Sequence, residues 1–514
     1  MQVRDEQRSQ LGRMFVALIL MVVCCGGGAR AQAPATDGVE ALRAEIAALR
    51  AEYEQRLTAL EQKLDAMQEA PAAEAATAET AGEAAATAST EPQAAAGAAG
   101  EAQPAEAAPT EAALTEADLA AAAEAAAAAA VDTSTAGPPP VAIVTGAAGK
   151  NFLNLSLDGL IAAGTSTSND IGALQTGGHD PTQRGFTVQN VEAVLEGAVD
   201  PYFRGQANIV MQIDANGETV VELEEAYATS TSLPLGLQLK AGQFFTELGR
   251  LNPTHPHSWD FVDQPLVNGR FFGPDGLRSV GARLSWLMPT DFYSEALLTV
   301  QNSQGETLSS FRSVPGETLF GREIQPREVA SATDLLIVPR YTTSFDLSDT
   351  KTILLGASAA LGPNGTGGKG RTRIYGLDGF WKWKPVNAFK GFPFVKVQGE
   401  VMRRSVAVDA TDDEALPRAT FEDWGSYVQV SWGYKPGHVL GLRLDRVAGD
   451  QGDAVDLSLA PRWRLSPAMT WFPTEFSKLR LQYNFDRSDA FRRDEHSLWL
   501  QLEFLLGAHA AHKF

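Results

Sequence analysis

The stretch Leu498-Trp-Leu-Gln-Leu-Glu-Phe504 sets an apolar residue at every second position. Period two is the mark of a β-strand, whose successive side chains point to opposite faces. The pattern recurs in Leu479-Arg-Leu-Gln-Tyr-Asn-Phe485, Val280-Gly-Ala-Arg-Leu-Ser-Trp286 and Leu235-Gly-Leu-Gln-Leu-Lys-Ala241. Working outward, strands are expected near 151–163, 185–199, 203–214, 219–230, 235–247, 278–288, 291–302 and 334–346. Others follow near 351–361, 371–384, 393–404, 421–434, 438–448, 454–465, 477–487 and 495–506, about sixteen in all. The tight links between them, such as Asp200-Pro201, Leu233-Pro234, Pro289-Thr290 and Lys435-Pro436-Gly437, alternate with long polar ones at 164–184, 248–277, 303–333 and 405–420. Short turns at one end and long loops at the other are the habit of outer-membrane β-barrels.

Aromatic residues gather at the tight ends: Tyr202, Phe203, Trp286, Phe292, Tyr293, Trp381, Trp383, Phe389, Phe392, Phe394, Trp432, Tyr434, Trp471, Phe472 and Phe476. A soluble β-sandwich would scatter them through its core, whereas a membrane barrel places them at headgroup level. The expected fold class is therefore all-β: a transmembrane antiparallel barrel over 150–514. A coiled-coil helix and a disordered alanine-rich linker precede it. The final Phe514 resembles the terminal aromatic signal read by barrel-assembly machinery.

Composition fits this reading. The 514 residues carry 42 basic and 63 acidic side chains, a net charge of −21, against a general nucleic-acid binder. After the N-terminus no apolar run of eighteen residues occurs, which excludes a helical transporter but not a barrel. Residues 1–31 read as a signal peptide: Arg4, Arg8 and Arg13, an apolar run Met14 to Cys25, and Ala29-Arg30-Ala31 as the cleavage site. Cys24 and Cys25, the two cysteines, fall inside it, so no disulfide or thiol chemistry is expected afterwards. Within 38–70, Val39, Leu42, Ile46, Leu49, Tyr53, Leu57, Leu60, Leu64 and Met67 make a heptad seam with one stutter. A seam so narrow is expected to pair with copies of itself in the periplasm. Residues 71–140 hold 33 Ala and repeated prolines; without large apolar side chains they form a spacer.

If alternate strand residues face lipid, their neighbours face the lumen, because a charge towards mid-bilayer costs about 2–4 kcal/mol. That places Lys240, Arg283, Arg340, Lys396, Arg404, Arg443, Arg462, Arg464 and Arg480 inside, with Glu222, Glu224, Glu400, Asp445, Asp456, Asp486 and Glu503. The segment 243–278, rich in Trp, Phe, Pro and charge, is too apolar for a solvated loop and is expected to fold into the lumen. By count it is the third outer loop. Its Gly242-Gln-Phe-Phe245 strand end, Leu248-Gly249 turn and Asp263-Gln-Pro-Leu-Val-Asn-Gly-Arg-Phe-Phe-Gly273 run resemble the phosphate-selective porin O/P family. The resemblance implies a sixteen-stranded trimeric barrel whose third outer loop is the constriction. The family's dense basic ladder is missing, since Arg250 and Arg270 are offset by Asp260, Asp263 and Asp275.

Candidate pore and constriction residues are Lys240, Arg250, His255, His257, Asp260, Asp263, Arg270, Arg278 and Arg283. The arginines are foremost, because guanidinium forks suit carboxylate or phosphate groups. His255-Pro-His257 could reach one metal with Asp260 or Asp263 completing the set, but packed or hydrogen-bonded histidines are the plainer expectation. His509 and His512 lie at the opposite end. Gly365-Thr-Gly-Gly-Lys-Gly370 fails as a phosphate loop, because Pro363 replaces the first glycine and Gly370 the Ser/Thr. No nucleophile elbow is present, so neither an enzyme nor a cofactor is expected. The expected function is a passive diffusion porin for small hydrophilic, possibly anionic, solutes. Its partners would be outer-membrane lipid, two further copies in a homotrimer, and peptidoglycan. The alternative is a barrel that only anchors a tether gripping the cell wall.

Overall fold

The computed structural model describes residues 142–145, 152–198, 200–213, 217–411, 415–453 and 456–507. The segments expected as signal peptide, coiled coil and spacer, with His509, His512 and Phe514, lie outside them. Sixteen antiparallel strands close into a barrel. The first seven are β1 Phe152–Ser166, β2 Gly185–Ala198, β3 Phe203–Ile213, β4 Thr219–Ser230, β5 Leu237–Phe245, β6 Arg278–Leu287 and β7 Ser294–Asn302. The other nine are β8 Leu335–Ser348, β9 Lys351–Pro363, β10 Arg371–Trp383, β11 Phe394–Val408, β12 Ala419–Lys435, β13 His438–Gly449, β14 Arg462–Thr474, β15 Ser477–Ser488 and β16 Glu495–Gly507. Each pairs with its neighbours in sequence, and β16 pairs with β1, Ser497 opposite Ser166, to seal the wall. A short strand, Ala142–Thr145, adds to the start of β1.

Period two governs burial around this ring. Along β13, Leu440, Leu442 and Leu444 are exposed outside, while Arg443 and Asp445 are buried inside. On β16, Leu498, Leu500 and Leu502 face out between Gln501 and Glu503. This inversion of a soluble protein leaves an apolar outer band. Trp286, Phe292, Trp432, Trp471 and Phe476 stand exposed beside the tight turns, as a headgroup-level girdle requires. Phe392 and Phe394 depart from that expectation: both are buried, their rings 5.3 Å apart.

Fifteen of the expected strands correspond closely to observed ones. The exception is 454–465, where the observed strand is Arg462–Thr474 and 457–459 form a 3-10 turn. Prolines 461, 467 and 473 disguise the true strand, since proline donates no ladder hydrogen bond. At Pro467 the ladder with β15 is interrupted between Leu465 and Ala468, with the register kept. Asp456, expected inside, instead caps that turn through a bond from Ser458 N. The long links join β1 to β2, β5 to β6 and β7 to β8, all at the end away from the aromatic turns.

Candidate functional site

Strand β5 leaves the wall at Phe245 and β6 rejoins it at Arg278, directly opposite, so residues 246–277 depart and return at one point. Thr246 N donates to Leu277 O at 2.9 Å, and Asn252 Nδ2 donates to both Thr246 O (2.7 Å) and Leu277 O (2.9 Å), drawing the loop's base shut. From there the loop turns inward. Gly249 has a φ of +70°, and a Cβ there would stand 2.0 Å from Glu400 Oε2, so only glycine passes so close to the wall. Gly249 N donates to Ser358 Oγ (3.1 Å) on β9, and Leu251 N to Glu400 Oε1 (2.8 Å) on β11.

The loop's apolar residues explain why it stays there. Leu248, Leu251, Leu266, Val267, Phe271 and Phe272 are buried in one cluster with Leu308 and Phe311 of the loop after β7. The wall side of the cluster is Leu336, Val338, Ile374 and Met402. Each such side chain gains about 1.5–3 kcal/mol on leaving water, ample to hold a short helix, Leu266–Phe272, inside the barrel. A dry plug therefore occupies this part of the lumen.

Charge fixes the loop's orientation. On one side the wall is acidic: Asp158 on β1, Glu192 on β2, Glu224 and Glu225 on β4, all buried. The loop offers it histidines. His255 Nδ1 lies 3.1 Å from Glu192 Oε1 and 3.0 Å from Glu224 Oε2, and His255 Nε2 lies 3.0 Å from Glu225 Oε2. His257 Nδ1 lies 3.0 Å from Asp158 Oδ2 and 3.2 Å from Glu192 Oε2. Burial alone would lower both imidazole pKa values. Glu192, Glu224 and Glu225 outweigh it for His255, raising it well above the ordinary range, and Asp158 and Glu192 bring His257 to about 9.

The opposite wall is basic, and the loop offers it aspartates. Asp263 accepts from Arg443 (2.6 Å), Arg464 (2.8 Å) and Asn484 (2.7 Å), while Asp260 accepts from Lys396 (2.6 Å). Burial pushes the Asp263 carboxyl up, but Arg443 and Arg464 reverse this and hold it at about 2. Arg480 donates to the carbonyls of Trp259 (2.7 Å) and Phe261 (3.0 Å).

The expected pore residues thus divide into two groups. Arg278 and Arg283 are ion-paired to Glu222 and Glu247. Arg270 donates to the carbonyls of Ser458 (3.1 Å) and Ala460 (2.7 Å), tying the loop helix to the 450–461 loop; burial lowers its pKa to about 10. Asp260 and Asp263 do not offset Arg250 or Arg270, because the basic wall consumes them. Nor do they join the histidine pair, which faces the other wall. Lys240 and Arg250 remain solvent-accessible. Lys240 Nζ stands 4.2 Å above the Tyr227 ring, and Arg250 rests 4.4 Å over Phe380 and donates to Gln398 (3.3 Å). Neither has a carboxylate partner among the described ion pairs.

Asp158, Glu192 and Glu225 escaped the sequence reading. The first two were visible, since Leu155-Ser-Leu-Asp158 alternates and Glu192 follows Val191 in period two. Glu225 was hidden by a β-bulge: Asn208 pairs with Glu225 but Ile209 with Leu223, so Glu224 and Glu225 both reach the loop.

No family model matches this sequence. An uncharacterised protein of Aquifex aeolicus is 33% identical over 365 residues, 66% of this chain and 73% of that protein. Among solved structures, the outer-membrane channel DcaP of Acinetobacter baumannii aligns with 71% of this chain and all of its own, at 12% identity and a TM-score of 0.47. An anion-selective porin of Comamonas acidovorans aligns with 69% of this chain and 98% of its own, at 9% identity and a TM-score of 0.41. OmpF of Salmonella typhi, in complex with daunomycin, aligns with 70% of this chain and 98% of its own, at 11% identity and a TM-score of 0.42.

Proposed function

We propose that this chain, which belongs to one family with the uncharacterised Aquifex aeolicus protein, is an outer-membrane porin passing small hydrophilic solutes, anions in preference. The observation that carries this reading is the chemistry of the lumen surface the loop leaves accessible. The buried acids of the wall are engaged by His255, His257 and Arg278, and Lys396 by Asp260, whereas Lys240, Arg250 and Lys382 keep partial access to water. A passage lined by unconsumed cations concentrates anions. The resemblance to phosphate-selective porins enters here as a choice of solute: a phosphate or carboxylate suits the Arg250 fork. The same proposal includes a trimer, a periplasmic coiled coil at 38–70 joined through the 71–140 spacer, and contact with peptidoglycan.

The plug built from Leu248, Phe271, Phe272 and Phe311 favours a second reading, a barrel that serves only as an anchor for the coiled coil. Single-channel conductance of the purified full chain in a planar bilayer, with reversal potential under a salt gradient, separates the two. Stepwise openings with an anion-positive selectivity support the porin. A folded barrel that stays electrically silent overturns it in favour of the anchor.

A further inference from the structure

We propose that His255, Glu192 and Glu224 form a binding site for a divalent transition-metal ion, with Glu192 shared by an adjoining ligand set of His257 and Asp158. The inference does not depend on whether the barrel conducts.

The spacing comes first. His255 Nδ1, Glu192 Oε1 and Glu224 Oε2 are mutually close, the nitrogen 3.1 and 3.0 Å from the two oxygens. Metal–ligand bonds of about 2.0–2.2 Å place tetrahedral ligands roughly 3.3–3.5 Å apart, so these atoms already stand near ligand-shell spacing. The second set repeats the arrangement at 3.0 and 3.2 Å around His257 Nδ1.

The hydrogen bonding comes next. Glu225 Oε2, at 3.0 Å, accepts a hydrogen bond from His255 Nε2. A carboxylate on one imidazole nitrogen fixes the tautomer and turns the other nitrogen's lone pair outward, as second-shell carboxylates do for metal-bound histidines. Without a metal that nitrogen carries a proton shared between two carboxylate oxygens, Glu192 Oε1 and Glu224 Oε2; a dication bound there would release it. Glu224 Oε2 and His255 Nδ1 have each other and Glu192 as their near partners, although Glu224 is 1% exposed. Asp158, equally buried, meets His257 through Oδ2, while its Oδ1 takes part in no hydrogen bond. A dication between these atoms satisfies nitrogen and oxygens together.

The neighbourhood completes the case. Asn208 donates to Glu192 and steadies it. A cavity of about 20 Å³, lined by His179, Glu224, Thr254 and Asn268 among others, opens beside Glu224 and has room for about one water as a further ligand. Mixed imidazole and carboxylate donors suit zinc and its first-row neighbours; magnesium and calcium, which take oxygen alone, do not fit. Bound there, the ion ties the inward loop to the wall of β2 and β4.

The test uses the full chain without a polyhistidine tag, in detergent, after chelator treatment. Zinc chloride is titrated by calorimetry in excess magnesium, and bound zinc is counted by mass spectrometry after dialysis. Saturable uptake of one or two equivalents is expected. Glu224→Gln, which keeps the side chain's shape, and His255→Ala should each weaken binding at least about tenfold. Heat-modifiable electrophoretic mobility reports that each variant is folded. No saturable uptake by a folded barrel overturns the proposal. So does uptake undiminished in both variants, which would place the zinc elsewhere, for instance on His509 and His512.

Discussion

At the scale of single residues, two side chains in the same loop have opposite fates. Asp263 is fully enclosed by Arg443 and Arg464, and removing its charge leaves these buried guanidinium groups with only their other partners, Asp445 and Asp486. Asp263→Asn should therefore destabilise the folded barrel by about 1–3 kcal/mol at neutral pH, seen as a lower heat-modification midpoint. The sign of its pH dependence follows from a folded pKa of about 2, below the ordinary 3.8. The carboxylate's contribution is complete above 3.8 and lost as pH falls through 2, so the gap between parent and variant should close across that window. Arg250, partly accessible and facing Phe380 and Gln398, holds nothing together by charge. Arg250→Gln should leave the midpoint unchanged within about 0.5 kcal/mol and lower the anion-to-cation permeability ratio. An unaltered reversal potential would remove Arg250 from the solute path.

At the scale of elements, the inward loop is separable from the wall it plugs. Because Phe245 and Arg278 are ladder partners, a two-residue turn in place of 247–276 should leave β5 and β6 in register. The expected result is a barrel with intact β-type circular dichroism and higher single-channel conductance; unchanged conductance would show that the loop is not the constriction. A milder change, Gly249→Ala, drives a methyl against Glu400 at positive φ, and should weaken loop docking and raise open-channel noise. The strands themselves were legible because period two survives any lumen content, and turn residues mark most ends. Arg462–Thr474 was not, since Pro461 just before it and Pro467 and Pro473 within it read as breakers. Inward folding of 246–277 was legible from its aromatic and apolar content. Its orientation was not: His255 meets Glu192 and Glu224 of nearby strands, but Asp263 meets Arg464 and Asn484, more than 200 positions away. The β4 bulge that turns Glu224 and Glu225 together leaves no mark in the alternation.

Over the whole molecule, charge is sorted rather than merely balanced. Acids face the loop from β1, β2 and β4 and bases from β11, β13, β14 and β15, where the wall's own Asp423, Asp445 and Asp486 share them, and the loop presents each side with its complement. Buried pairs are screened little by salt, whereas accessible lysines are screened strongly once the Debye length falls to about 3 Å at 1 M. Raising salt from 0.1 to 1 M should therefore leave the heat-modification midpoint nearly constant while anion preference declines towards the bulk ratio. A midpoint falling steeply with salt would mean the loop is held by surface charges instead.

The seam between β16 and β1 has a consequence for the order of assembly. The first strand of the ring finds its partner only when Glu495–Gly507 arrives, so two unpaired edges persist until nearly the entire chain is delivered. Asp263 must meanwhile reach Arg443, Arg464 and Asn484, which belong to three of the last four strands. In a ring already sealed, the helix could reach those partners only through the mouth of the barrel. The expected order therefore seats the loop while the wall is still open, like a ship built in its bottle before the glass is closed. A chain that stops before residue 495 forfeits the seam and exposes both edges to aggregation.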